Sequence, residues 1–203
     1  MILTHAGAAP RIDPAACVAA SAVVAGDVTV GPRSVVGHGA VIRAESGPVT
    51  LGADCVVMEG AVLRGAVGAP LRLGDRVLVG PRAHLTGCEV GDEVFLATGC
   101  AVFNRAVIGA GAEVRINAVV HLRTVLAPGA TVPIGWVAVG DPARLFPPEA
   151  HEAIWRVQRD LDFPGVVFGT PRGADGDASL MSRAMPRYAA ALARGLREER
   201  PAD

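Results

Sequence analysis

A large aliphatic residue returns at every sixth position along most of the chain. The series opens Ile12, Val18, Val24, Val30, Val36, Ile42. After three extra residues (48–50) it resumes at Leu51, Val57 and Leu63, and after four more (69–72) at Leu73, Val79 and Leu85. The next hexad is one residue short. The phase then runs unbroken through Val90, Leu96, Val102, Ile108, Val114, Val120, Leu126 and Val132 to Ala138. Of these 21 positions only the last is not Leu, Ile or Val. Four residues after each stands a mostly small side chain, as at Ala22, Ser34, Ala40, Cys55, Ala61 and Cys100. Glycine often follows the aliphatic residue, as in Val30-Gly31 and Leu51-Gly52. Random apolar sequence does not hold a six-residue phase over such a length, so the chain is a repeat architecture.

The pattern resembles the hexapeptide repeat of left-handed parallel β-helices. In that fold three hexads close one triangular coil, with the aliphatic residue inward and the small one near the corner. The count predicts an all-β solenoid of about seven coils, stacked at the ordinary strand spacing of roughly 4.8 Å. The expected organisation is an N-terminal lead-in (1–11), a β-helix (12–145) and a C-terminal region of helices and loop (146–203). Pro147-Pro148-Glu149 reads as a helix start. Ala150, Ile154, Val157 and Leu161 follow as one stripe at helical spacing. Residues 165–177, rich in Gly, Pro and Asp, read as a loop. A second helix is expected from about Pro186 to Glu199, with Tyr188, Leu192 and Leu196 on one face. Both helices are expected along the outside of the β-helix.

Composition narrows the picture. Half of the 203 residues are apolar but only 4% are aromatic, which suits a thin interior of branched and small side chains. A net charge of −1 argues against broad electrostatic attraction to nucleic acid or an anionic membrane. All 19 basic residues are Arg, as a GC-rich bacterial genome would give. The N-terminus lacks a signal-peptide layout and no apolar run approaches 18 residues, so a cytoplasmic protein is expected. Cys17, Cys55, Cys88 and Cys100 show no CxxC spacing and read as small buried hydrophobes.

Three stretches resemble the γ-class carbonic anhydrases. Ala40-Val41-Ile42-Arg43-Ala44-Glu45 is similar to that family's A-V-[IL]-R-G-D, and a three-residue insertion follows it. Val57-Met58-Glu59-Gly60-Ala61-Val62-Leu63-Arg64 is similar to I-Q-D-G-x-V-[IL]-H. The stretch 78–88, containing Gly80-Pro81-Arg82-Ala83-His84-Leu85-Thr86-Gly87-Cys88, is similar to I-G-H-x-A-x-[LV]-H-G-C. The resemblance covers roughly residues 12–163. It implies a homotrimer with zinc held between subunits, two histidines from one chain and one from its neighbour. Carried over, those histidines fall on Arg64, Pro81 and Thr86, none of which is His. The family's Arg and its two Asp positions fall on Arg43, Glu45 and Glu59.

By register, Arg43, Arg64 and Thr86 form one column, with His121 further along it, and His38, Glu59 and Pro81 form a second. Arg stays protonated and cannot ligate, and Thr is a poor substitute for His, so CO2 hydration is doubtful. Zinc would need a non-standard ligand set, with His84 and His38 as the candidates. Two readings of Arg64 stay open. It replaces the metal's charge and, with Arg43 and Arg82, favours a small anion; or it pairs with Glu45 or Glu59 across the interface. In an enzyme, Arg43, Glu45, Glu59 and His84 are the candidate catalytic groups, and Arg64, Arg82 and Thr86 the ligand-binding ones. A CoA-dependent acyltransferase, with His84 or His121 as general base, is the alternative activity. A non-catalytic trimer that binds an anion or serves as a scaffold is the third. His38 and His121 are otherwise expected at solvent or an interface, and His5 and His151 carry no signal.

Overall fold

A computed structural model describes residues 1–173 and 178–202. The hexads form three parallel sheets around a narrow interior. The first sheet holds ten strands and the other two hold seven each. Each strand pairs in register with the one a full coil later, so Ile42 lies beside Leu63, and Leu63 beside Leu85. Those three side chains are fully buried, as are Val57, Val79 and Leu96 on another wall. The small column completes the interior, with Ala40, Cys55, Ala61 and Cys100 at 0% exposure. Glycine after the aliphatic residue has a steric cause. A Cβ on Gly31 would lie 2.4 Å from the Gly52 carbonyl oxygen of the next coil.

The chain forms about eight turns, against the seven counted. The extra one begins at strand Ile2–Thr4, which pairs in parallel with Val23–Ala25. Ile2 is ten residues before Ile12 because a tight excursion, bridged from His5 to Ala8, intervenes. A second excursion, bridged from Ala66 to Ala69, leaves the solenoid at the corresponding corner. The insertions therefore leave the stacked sheets undisturbed.

The outer faces differ. Arg11, Thr29, Thr50, Arg72 and Glu89 lie in one cross-strand row on the second sheet, a face suited to water. On the third sheet the equivalent row is Cys17, Val35, Val56, Leu78 and Phe95. Val35, Val56 and Phe95 remain 36–42% exposed there. Cys17 is also exposed, so the expectation of four buried cysteines holds only for Cys55, Cys88 and Cys100. Cys17 directly precedes the inward Val18, and alternation along a strand turns it outward. Burial pushes the Cys88 and Cys100 thiols up to about 12, which leaves them unreactive.

The first sheet is flanked by the C-terminal region. Helix α1 (His151–Gln158) starts within a few residues of Pro147-Pro148. Helix α2 (Phe163–Phe168) falls where a loop was expected. Its Pro164 lies in the first turn, where no backbone N–H is needed, and the Asp162 side chain accepts from the Gly165 N–H. Residues 169–173 of that expected loop carry no regular element, and 174–177 lie outside the described residues. Helix α3 (Leu180–Glu198) begins six residues before Pro186. Ser179 caps it by accepting from the Ser182 N–H, and Pro186 is carried inside the helix. After α3, strand Arg200–Pro201 pairs antiparallel with Ile2–Thr4 and ties the chain's end to its beginning. Among the described residues no helix is long and apolar enough to cross a membrane.

Candidate functional site

The first sheet brings Arg43, Arg64 and Thr86 side by side on successive coils. Each follows an inward aliphatic residue, so each points outward by the alternation of a strand. His84 shares its strand with Thr86 and accompanies it on the outer face; its Nε2 lies 3.0 Å from the Thr86 hydroxyl. Over these residues, between the sheet, α2 and α3, lies a cleft of about 1110 Å³. Arg43, Glu45, Arg64, His84 and Thr86 all line it.

The two column arginines are neutralised within the chain. Arg64 bonds the Glu45 carboxylate, with side chains 29% and 20% exposed. Burial works against the Arg64 charge, but Glu45 and the nearby Tyr188 outweigh it and hold its pKa above the ordinary value. Arg43 lies 2.9 Å from the Glu199 carboxylate at the end of α3, and the same carboxylate is 3.5 Å from His5. His5 also meets the Glu45 carbonyl at 3.1 Å. Helix α3 approaches closely at Gly195: a Cβ there would come within 2.9 Å of the His5 ring and 3.4 Å of the Arg43 guanidinium. A residue larger than Gly there would make the His5 ring shift.

His38, Glu59 and Pro81 stack on successive coils at a different corner, shown by Gly60 N–H to His38 carbonyl (3.1 Å) and Arg82 N–H to Glu59 carbonyl (3.0 Å). Within one chain they do not meet the first column, and neither they nor Arg82 line the cleft. His38 bonds Ser21 at 2.7 Å. His121, expected at solvent or an interface, is only 5% exposed. It meets Gln158 of α1 at 2.7 Å and packs beside Phe103 and Phe163.

These residues do not fit zinc. A guanidinium, a proline ring and a hydroxyl occupy the three expected ligand positions, and the nearby carboxylate is held by Arg64. Among the described residues no three His, Cys, Asp or Glu side chains converge to hold a metal ion. Sequence reasoning missed four participants: His5, Gly195 and Glu199 around Arg43, and Tyr188 beside Arg64. Only the ten-residue step from Ile2 to Ile12 pointed to His5.

Comparison with known proteins agrees with the fold. A model described as the hexapeptide repeat of succinyl-transferase matches residues 27–64 and 70–104. The mitochondrial γ carbonic anhydrase 1 of Arabidopsis thaliana is 32% identical over 143 residues, which is 67% of this chain and 50% of that one. The second mitochondrial γ carbonic anhydrase of that plant is 30% identical over 142 residues, 66% of this chain and 49% of that one. The chain thus spans about half the length of these relatives. A solved putative acetyltransferase from Bacillus cereus is 25% identical, with TM-score 0.52, covering 79% of this chain and 91% of that one. Fold and repeat together define a hexapeptide-repeat protein. Within that class the chain is a γ-carbonic-anhydrase-like protein.

The histidines give a stability prediction. Burial lowers the pKa of both His84 and His121 from 6.5, and the Arg64 charge lowers His84 further. The unfolded chain therefore takes up these protons first as pH falls. Stability is full above about pH 7 and declines below 6.5, by at most about 1.4 kcal/mol per pH unit for each histidine. Urea midpoints should fall between pH 7.5 and 5.5, and less steeply in His84→Gln. A midpoint that rises over that interval contradicts the assignment.

Proposed function

We propose that the chain is a homotrimeric binding module of the γ-carbonic-anhydrase-like kind that does not hydrate CO2. The observation that carries the reading is the Arg64–Glu45 ion pair at the first zinc-histidine position. Hydration in this family would rest on a metal that lowers the pKa of bound water to about 7. A guanidinium locked to a carboxylate supplies charge there but no coordination position and no nucleophile.

Trimer formation rests on the third sheet. On its outer row Val35, Val56 and Phe95 are 36–42% exposed with Leu78 half-buried among them, an apolar patch that ends at Glu113. All four cysteines are free, which suits a reducing compartment and a cytoplasmic location.

Acyl transfer is the second reading. The likeness to the Bacillus cereus putative acetyltransferase favours it, together with a His84 kept neutral by its lowered pKa. It ranks below the binding module because no carboxylate orients the His84 ring among the described residues, where a hydroxyl takes its Nε2.

Stopped-flow CO2 hydration with equimolar zinc should show no rate above buffer; acceleration by about a hundredfold or more overturns the reading. Light scattering should give a trimer at micromolar concentration, and Val56→Arg should dissociate it. A wild-type monomer, or a Val56→Arg trimer, contradicts the assigned interface.

A further inference from the structure

Arginine on the solenoid is generally paired. Arg11 with Asp27, Arg33 with Asp54, Arg76 with Glu93 and Arg115 with Glu113 form ion pairs between or along coils. Arg82, Arg105, Arg123 and Arg144 depart from this habit, and of these four Arg105 and Arg123 line the cleft. Neither has a carboxylate at ion-pairing distance among the described residues. They occupy the same corner of successive coils, since the Arg123 N–H donates to the Asn104 carbonyl at 2.9 Å. Both hold left-handed backbone, with φ of 61° and 56°. Two cations thus rise from adjacent rungs roughly 4.8 Å apart, an arrangement that an anion between them would relieve.

Asn104 stands at the same corner. It is 7% exposed. It lines the cleft together with both arginines. The acidic residues of the cleft do not serve these cations. Glu45 is held by Arg64, Asp162 caps α2, and Glu198 lies at the far end of α3. From the same corner an aromatic run crosses the cleft. Phe103 meets Phe163 edge-on at 6.3 Å, and Phe163 meets Phe168 at 6.1 Å.

We infer that the Asn104–Arg105–Arg123 corner binds the phosphate group of an organic phosphate, whose apolar body lies along Phe103, Phe163 and Phe168. Guanidinium forks match the geometry of phosphate oxygens, and the Asn104 amide adds a neutral donor. The aromatic run provides the surface that an inorganic ion does not use. This names a ligand class for the binding module and rests on that reading. It fails separately, because hydration and phosphate binding are measured independently.

The test is calorimetric titration of the full chain at pH 7.5 with phenyl phosphate, inorganic phosphate and phenol. Phenyl phosphate should bind about one per chain and about tenfold more tightly than inorganic phosphate, with phenol silent. Arg105→Gln and Arg123→Gln should each weaken phenyl phosphate about tenfold or more, and Arg156→Gln, on α1 outside the cleft, should not. Absence of binding at millimolar phenyl phosphate overturns the site. Unchanged affinity in both cleft variants overturns the assignment to this corner, and equal affinity for inorganic phosphate overturns the aromatic half.

Discussion

Backbone hydrogen bonding from coil to coil holds every outward side chain in register with its counterpart one turn away, and the chemistry of this protein depends on that constraint. Leu63 lies against Ile42 and Leu85, so Arg64 must lie between Arg43 and Thr86. Side chains dispersed along the sequence become a ladder with fixed spacing. A single substitution in such a ladder cannot be absorbed by a local loop, because the rungs above and below share the position. The interior enforces this, since a slip of one residue would expose the aliphatic column and bury charge.

Within this ladder, charge has been rearranged and is matched inside the chain. Arg64 is held by Glu45 one coil away, and Arg43 by Glu199 at the end of α3. Partly buried pairs of this kind add modestly to stability, yet removing one partner leaves a desolvated charge and is costly. They therefore act chiefly as locks. The lock at Arg43 gathers the first excursion through His5 and the C-terminal helix through Gly195 and Glu199, and strand Arg200–Pro201 closes the same end. The Arg105–Arg123 corner, further along the same cleft, is left without such matching.

The solenoid was legible because one ruler, six residues long, applies from Ile12 to Ala138. The same ruler aligned Arg43, Arg64 and Thr86, since column membership follows from counting. It missed the turn beginning at Ile2, because an excursion stretches that step to ten residues, and with it the setting of His5. It stacked His38, Glu59 and Pro81 correctly, but counting cannot say that this corner stands away from the cleft within one chain. The C-terminal region has no ruler. Pro186 read as a helix start although the Ser179 cap lies seven residues earlier, and residues 165–168 read as the start of a loop although Asp162 caps a short helix there. The places of Tyr188 and Glu199 are set by how α3 docks, which no periodicity encodes.

The central claim is that a guanidinium stands where a metal would be ligated. Elemental analysis tests it most directly, on protein produced in zinc-supplemented medium and purified without chelator. The account predicts zinc, iron and cobalt far below one per chain. About one metal ion per chain, retained through purification, would contradict it and require a ligand set that these residues do not form within one chain.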